Sequence, residues 1–185
     1  MRIISGELKG KILISPDNYV IRPTSDRGKE VIFDTLSSIL YKQDKEYKEI
    51  DILDIFCGTG SLGIEAISRG GKNISFIDNS EKAINLTRMN CEKLNINNVD
   101  LINYDFFDIN LSIIKQADVI FLDPPYKMYD SSEILRILLS KNLLKNNGIL
   151  IFETSVKDKV QDFKELRVLK KKKVSKSSYY FFIKI

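Results

Sequence analysis

Asp123-Pro124-Pro125-Tyr126 is the segment of this chain whose residue types and spacing are best suited to chemistry. It follows the apolar run Val119 to Leu122, which has the length and composition of a buried strand. Open α/β sheets carry their chemistry at the carboxyl ends of strands, where this segment falls. Because two prolines stiffen the backbone and remove two N–H donors, the turn offers a carboxylate, carbonyl oxygens and an aromatic ring. Such a corner can hold a flat base and accept hydrogen bonds from its amine, although the tetrapeptide alone is also explained as a proline-rich turn.

A second motif lies upstream, where a strand pattern at 50–56 is followed by Cys57-Gly58-Thr59-Gly60-Ser61-Leu62-Gly63. The G-x-G-x-x-G spacing permits a tight turn, close approach of the backbone to a ligand and close helix packing. Asp54 stands in the strand end, where a carboxylate disfavours a pyrophosphate and favours a ligand that bears an ammonium group. The sulfonium and amino-acid groups of S-adenosylmethionine fit that charge. The predicted cofactor-binding residues in this segment are Asp54, Phe56, Gly58, Thr59 and Gly60.

Two further strand patterns also end in acidic residues. The run 73–77 ends at Asp78-Asn79, where an acid can accept hydrogen bonds from both hydroxyls of a ribose. The run 99–103 leads to Asp105-Phe106, an acid and an aromatic that can bind an adenine amine and cover its ring. Each acid alone is also explained as a helix cap or a solvated loop residue. Four strand-end features at βαβ intervals favour one cofactor site, which includes Asp78, Asn79, Asp105 and Phe106.

Composition predicts one compact domain and excludes several kinds of enzyme. At 185 residues and 43% hydrophobic content, the chain can bury a large core without splitting. There is no histidine, which excludes Ser-His-Asp and Cys-His catalysis. Cys57 and Cys91 show no metal-ligand spacing, so we expect no metal site and two free thiols in a reducing cytoplasm. No apolar run approaches the roughly 20 residues of a membrane span, and the N-terminus lacks a secretory apolar region.

The basic residues are unevenly distributed although the net charge is only +4. The amino-terminal segment and the C-terminal stretch Lys170 to Lys173, with Lys176, are both rich in bases. Basic residues beside an acidic catalytic centre indicate a polyanionic substrate. The lysine run is equally well explained as a solvated strand or turn. The basic residues predicted to contact the substrate are Arg2, Lys9, Lys11, Arg22 and Arg27.

The periodicity of apolar residues predicts alternating strands and helices over most of the chain. Residues 1–15 alternate around two glycines and predict a β-hairpin, and residues 26–41 have helical spacing. Further helices are expected near 61–70, 80–95 and 131–145. Asn146-Asn147-Gly148 is predicted to end the last helix, before a strand at 149–152. Two final strands are expected near 165–173 and 178–184.

These motifs resemble those of the class I S-adenosylmethionine-dependent methyltransferases, and among them the RsmD family of 16S rRNA guanine-N2 methyltransferases. The similarity covers almost the whole chain, including residues 2–10, the loop 54–65 and the 123–126 motif. Its most specific part is Arg22-Pro23-Thr24-Ser25-Asp26-Arg27 with Lys29, Glu30 and Phe33, which adds Thr24 to the predicted substrate-binding residues. Residues 173–178 depart from the family, which usually has a Gly-Asp pair there.

The resemblance implies an α/β fold of the Rossmann-like class I methyltransferase type. We therefore expect a seven-stranded mixed sheet of order 3-2-1-4-5-7-6 with helices on both faces, preceded by an N-terminal β-hairpin and helix. It implies a single domain, 1–185, with 1–45 as a substrate-side extension and 46–185 as the catalytic core. It implies S-adenosylmethionine as cofactor, with S-adenosylhomocysteine as product. The implied partner is 16S rRNA in an assembled or late-stage 30S subunit, bound by a cytoplasmic monomer with no membrane association.

The implied mechanism follows from the low nucleophilicity of the guanine N2 amine. Asp123 and the Pro124 carbonyl, held by Pro125, can accept its two N–H bonds, while Tyr126 stacks on the base. Three alternatives stay open. Related enzymes methylate adenine N6 or a protein glutamine, often with Asn in place of Asp123. A cofactor-binding RNA module without turnover and a nicotinamide-dependent dehydrogenase are the other two, and Asp54 disfavours the dehydrogenase.

Overall fold

Apolar runs of strand length pair into a seven-stranded sheet in a computed structural model that describes residues 1–15, 24–108, 114–125 and 130–185. The strands are β1 (Asp51–Ile55), β2 (Asn73–Asp78), β3 (Val99–Asn103), β4 (Ala117–Leu122), β5 (Leu144–Ser155), β6 (Leu166–Val174) and β7 (Ser177–Lys184). The helices are α1 (Asp26–Lys42), a short 3-10 helix (Tyr47–Glu49), α2 (Ser61–Ser68), α3 (Glu81–Lys93) and α4 (Ser131–Ser140).

The sheet has the order β3-β2-β1-β4-β5-β7-β6, which confirms the predicted fold class and topology. Strands β1 to β5 pair in parallel, so their carboxyl ends meet at one edge, here called the carboxyl edge. Strand β7 is antiparallel to both β5 and β6. Consequently β6 runs in the same direction as β5, and the hairpin between β6 and β7 lies at the carboxyl edge.

Helices cover both faces of the sheet, because strand residues alternate between two apolar clusters. One cluster contains Phe121 and Phe181 and packs against α1, α2 and α3. The other contains Leu122 and Phe182 and packs against α4. In the parts of the chain that the structure describes, no helix combines the length and apolar character needed to cross a bilayer.

The prediction for the end of α4 was wrong. The helix ends at Ser140, and β5 begins at Leu144 instead of 149. Asn146-Asn147-Gly148 forms a bulge in β5: Ala117 pairs with Leu144, the next paired residues are Val119 and Ile149, and Asn147 has a φ of 59°. Asn and Gly accept left-handed backbone both after helices and in bulges, so residue type alone does not separate the two.

The amino-terminal segment forms one antiparallel bridge, Arg2 to Ile12, where a full hairpin was expected. The chain between these residues turns onto α2, where the Glu7 N–H donates to the Ser68 carbonyl at 2.7 Å. Helix α1 starts at the predicted residue because the Ser25 hydroxyl accepts from the Gly28 N–H at 3.0 Å. The segment is therefore held by α2 as well as by its own backbone hydrogen bonds.

Candidate active site

The glycine loop joins β1 to α2 at the carboxyl edge, and its glycines form the tight turn and the close helix packing that their spacing predicts. Gly60 has a φ of 73°, a left-handed conformation that costs glycine little. A Cβ on Gly63 would lie 2.2 Å from the Phe76 ring, so only glycine lets α2 pack this closely on β2. Thr59, between two of the glycines, is buried. The loop therefore presents backbone at the carboxyl edge.

Asp54 lies beneath this loop, with 2% of its surface exposed. Its Oδ2 accepts from the Gly63 N–H at 2.8 Å and so caps α2 from the neighbouring strand. Gly60 at the N-cap position has no side chain to do this. Burial raises the pKa of the Asp54 carboxyl to about 8. The acid that the sequence places here is therefore buried, and it supports the loop through this hydrogen bond.

Replacing Asp54 with asparagine should make the protein more stable at high pH than the native chain. Asparagine can still accept from the Gly63 N–H, but it carries no charge to bury. Since the folded pKa of Asp54 is about 8 against the usual 3.8, unfolding releases a proton between these values. Native stability therefore falls by about 1.4 kcal/mol per pH unit through this group, and the fall stops above about pH 8.

Urea unfolding from about pH 5 to about pH 9 measures this difference between native and Asp54→Asn proteins. The gain of the variant should grow with pH and then level off. Asp100→Asn, at an exposed position on β3, is the matched control and should show no such gain. A pH-independent difference for Asp54→Asn would contradict the assigned burial cost.

Asp78 ends β2 next to the glycine loop, as predicted. Its Oδ2 accepts from the Gly58 N–H at 3.0 Å, and its Oδ1 accepts from the Ser80 N–H at 2.9 Å. Burial raises the pKa of Asp78, although these two hydrogen bonds oppose the shift. The residue is only partly buried, so its carboxylate links the loop to the start of α3 at the accessible carboxyl edge. Asn79 follows it, exposed, and donates to Asp105 Oδ2 at 3.4 Å.

The aromatic predicted to cover an adenine is in the core. Phe106 is 2% exposed and packs at 5.5 Å between ring centroids on both Phe56 and Phe107. Phe56, with a φ of 61°, and Phe107 are both half-buried. The sequence contains two adjacent phenylalanines after Asp105, and alternation alone does not say which one faces outward. Phe107 is the aromatic of this pair that keeps accessible surface.

Asp123 follows β4 directly, and its backbone N–H points to the Ile55 carbonyl at 3.5 Å. Its side chain is half-buried, Pro124 is buried and Pro125 is exposed. Tyr126 lies outside the described residues. Because β1 and β4 are paired neighbours, with Ile55 opposite Leu122, Asp123 and the glycine loop emerge side by side from the carboxyl edge. The structure therefore brings together the two motifs that the sequence separates by about 60 residues.

Tyr179 on β7 lies next to this corner and was not singled out from the sequence. Its pKa is raised by burial, and the charges of Glu153 and Asp123 add to that effect. Glu153 is its cross-strand partner on β5. A Cβ on Gly28 would lie 2.5 Å from the Tyr179 hydroxyl, so the first turn of α1 reaches the same corner. The amino-terminal extension thus borders the Asp123 site.

The predicted substrate-binding residues fall into two groups. Arg2 and Arg27 flank the start of α1, where Arg2 pairs with Asp26 at 2.9 Å and Arg27 with Glu30 at 3.1 Å. Such exposed pairs are worth at most about 1 kcal/mol, so phosphates can compete for either arginine. Thr24 is half-buried before α1, and Arg22 lies outside the described residues.

Lys9 and Lys11 form the second group and lie on the turn of the amino-terminal segment, between the bridged residues Arg2 and Ile12. Both are exposed, on the turn whose Leu8 N–H donates to the Ser68 hydroxyl at 3.0 Å. Ser68 ends α2, so the structure places this turn at the opposite end of the helix from the glycine loop. The backbone of Lys11 nevertheless lies beside that of Arg2, because Arg2 forms a bridge with Ile12 and the Ile3 N–H donates to the Lys11 carbonyl at 2.9 Å.

Two buried polar residues of α3 also support the loop. The Thr87 hydroxyl donates to the Gly58 carbonyl at 3.1 Å, and the Asn90 amide donates to the Thr59 carbonyl at 3.0 Å. Asn90 Oδ1 also accepts from the Ile14 N–H at 2.6 Å, which ties the amino-terminal segment to the loop. Their signal in the sequence is a polar pair, three residues apart, on the apolar face of a helix.

The donor set at the carboxyl edge fits S-adenosylmethionine better than a dinucleotide or a metal. Asp78 places an accessible acid beside the loop, where a pyrophosphate would be repelled and an ammonium group or ribose hydroxyls are accepted. The glycine loop provides backbone in left-handed turns for close approach. Within the described ranges, no group of three or more Cys, Asp or Glu side chains is placed to hold a metal ion.

Comparison with known proteins agrees with this arrangement. The profile of the family described as "Conserved hypothetical protein 95" matches residues 1–183. The ribosomal RNA small subunit methyltransferase D of Buchnera aphidicola subsp. Baizongia pistaciae is 32% identical over 97% of this chain and 89% of its own length. The protein of the same name from Haemophilus influenzae is 32% identical over 86% of this chain and 80% of its own length.

Solved structures give the same result. The Haemophilus influenzae protein HI0767, described as a methylase, has a TM-score of 0.78 and 28% identity, covering 100% of this chain and 98% of its own. The Escherichia coli protein yhhF has a TM-score of 0.81, covering 100% and 97%, and at 23% identity it supports the fold alone. With a matching profile over nearly every residue and relatives of about one-third identity along the whole chain, this protein belongs to the ribosomal RNA small subunit methyltransferase D family.

Proposed function

We propose that this protein transfers a methyl group from S-adenosylmethionine to the exocyclic N2 of a guanine in small-subunit ribosomal RNA. The observation that carries the proposal is the pairing of β1 with β4, which sets Asp123 beside the glycine loop. A methyl donor over the loop and an amine at Asp123 would then be neighbours. The names of the relatives support small-subunit ribosomal RNA as the substrate. The Asp-Pro-Pro-Tyr segment supports an amine as the group that is methylated.

The cofactor would be held along the carboxyl edge. Backbone groups of Gly58, Thr59 and Gly60 would face its amino-acid part, and the buried Asp54 would hold this backbone in place through the Gly63 N–H. Asp78 would accept from the ribose hydroxyls in exchange for its present backbone partners. Asn79, Asp105 and the half-buried rings of Phe56 and Phe107, which pack on the buried Phe106, would enclose the adenine.

Catalysis by this chain would consist mainly of orienting and electrostatically stabilising the amine. S-adenosylmethionine supplies a methyl group already activated on a sulfonium. Asp123 and the Pro124 carbonyl would accept hydrogen bonds from the two N–H groups of guanine N2, which keeps the nitrogen aimed at the methyl group and stabilises the positive charge that develops. As the N–C bond forms, the methyl–sulfur bond of the donor breaks to give S-adenosylhomocysteine, and the methylated amine then loses one proton. Pro125 would stiffen the corner, and Tyr126 would stack on the base. The base must leave its stack to enter, which costs least for a loop nucleotide.

The RNA would approach over the amino-terminal extension, residues 1–45. Arg2, Thr24 and Arg27 border the Asp123 corner through the first turn of α1, and Arg22 stands two residues before Thr24 in the chain. Lys9 and Lys11 lie farther away and would contact more distant phosphates. We propose that the protein acts in the cytoplasm as a monomer on an assembled or late-stage 30S subunit.

Methyl transfer from radiolabelled S-adenosylmethionine to 16S rRNA, to 30S subunits, to DNA and to protein tests the substrate class. Label is expected in the rRNA or the 30S subunits, and nucleoside digestion should place it in N2-methylguanosine. Label in N6-methyladenosine would replace the guanine assignment while keeping the methyltransferase. Label only in DNA or protein, or none in a single-turnover reaction, would overturn the proposal.

A further inference from the structure

Strand β6 is the most basic element of the described chain. It carries Arg167 and the run Lys170 to Lys173, and Lys176 follows in the turn to β7. No acidic residue occurs between Leu166 and Lys184. All these basic residues are exposed, and β6 is the last strand at one side of the sheet. The strand is therefore a continuous positive strip along an open border of the protein.

The topology directs this strip to the candidate active site. Because β6 runs in the same direction as β5, its lysines approach the carboxyl edge, where Asp123 lies. Lys172 pairs with Tyr179, whose hydroxyl adjoins the first turn of α1. Lys170 pairs with Phe181, on the same face of the sheet. Lys170 and Lys172 thus add a second row of positive charges to the one that Arg2 and Arg27 form on the amino-terminal extension.

The charges of this strip are available, unlike those of two lysines at the opposite edge of the sheet. Lys45 and Lys145 at the amino ends of the strands both pair with Asp118 at 2.7 Å. Along β6, within the part of the chain that the structure describes, the ammonium groups of Lys170, Lys172 and Lys173 pair with no acidic side chain. Lys171 alone is occupied, because it packs 4.3 Å from the centre of the Tyr180 ring and contacts its hydroxyl.

We propose that the basic strip on β6 binds the phosphate backbone of the ribosomal RNA beside the target nucleotide. The proposal rests on the function proposed above and adds a surface that the active-site motifs do not include. Lysines also protect edge strands from pairing with other chains, which is the competing explanation of this run. The two explanations differ in what the lysines contribute: a salt-dependent affinity for RNA in one, resistance to self-association in the other.

The test measures binding of a 16S rRNA transcript to the full-length Lys170→Gln/Lys172→Gln protein as KCl is varied. Each phosphate contact contributes about 0.7 to the slope of log affinity against log salt for single strands, so the slope should fall by about 1.4. Counted from equal affinity of the two proteins at about 1 M KCl, this difference in slope makes the variant bind about 25-fold more weakly than the native protein at about 0.1 M KCl. Affinity for S-adenosylmethionine should be unchanged.

Lys72→Gln/Lys115→Gln is the matched control, because both lysines are exposed and precede β2 and β4 at the opposite edge of the sheet. It removes the same charge and should keep the native slope. An equal fall of the slope in both variants would show that the effect depends on net charge alone. An unchanged slope, together with self-association of the Lys170→Gln/Lys172→Gln protein in light scattering, would show that the lysines protect the edge strand from pairing with other chains. Either result overturns the proposal. Methyl transfer, assayed separately, reports on the proposed function, so the two can fail independently.

Discussion

Asp123→Ala is expected to slow methyl transfer to small-subunit RNA by about a hundredfold to a thousandfold, the usual loss when one group that stabilises transition-state charge is removed. The guanine amine gains positive charge as it attacks, and Asp123 is the carboxylate at the corner where the structure brings β4 beside the glycine loop. Cofactor affinity should change little, because the described contacts of the loop run through Asp54 and Asp78.

Two further variants sharpen this result. Asp123→Asn keeps one acceptor oxygen without the charge, so its rate should fall between those of the native protein and the alanine variant. Glu133→Ala removes an exposed acid from the first turn of α4, which follows the same strand, and should keep native turnover. Single-turnover rates with cofactor affinity by calorimetry separate binding from chemistry. Native turnover in Asp123→Ala would reject this residue as the amine acceptor.

Glu65→Ala should destabilise the protein by about 3–5 kcal/mol, the range for breaking a buried charge pair from one side. Glu65 is fully buried in α2, and its carboxylate accepts from the Ile4 N–H at 2.8 Å, the Ser5 N–H at 3.1 Å and Arg69 Nε at 3.0 Å. Lys29, also fully buried, contacts the Arg2 carbonyl, and desolvation lowers the pKa of this amine while the charge of Glu65 opposes that shift. Alanine would leave the two N–H donors and Arg69 without their acceptor, and it would leave Lys29 with Asp26, 3.7 Å away, as its acidic partner.

Urea unfolding with linear extrapolation measures this loss. Glu65→Gln keeps one acceptor oxygen and should lose less, while Glu30→Ala, which breaks only the exposed pair with Arg27, should lie within about 1 kcal/mol of native. Because Glu65 anchors residues 4 and 5, Glu65→Ala should also weaken RNA binding more than cofactor binding. A stability loss for Glu65→Ala no larger than that for Glu30→Ala would contradict the anchoring role.

The strand order was implied by the family resemblance, whereas the residues by themselves determined the strand-end positions of Asp54, Asp78, Asp105 and Asp123. These follow from local patterns: apolar runs of strand length, glycines after the first of them, and acids where each run stops. The family resemblance in the 22–30 segment predicted ribosomal RNA as the substrate, which the pattern of strands cannot specify. Local chemistry was sufficient here because parallel strands bring their carboxyl ends to one edge whatever the details of packing.

Only the tertiary structure decided which way the side chains at that edge point and what supports them. It put Phe106 in the core, turned Asp54 under the loop, and made a bulge of Asn146-Asn147-Gly148. It also joined Tyr179 to the Asp123 corner and placed the lysines of β6 at the carboxyl edge. Each of these depends on contacts between residues far apart in the chain, whose burial and partners no local pattern contains.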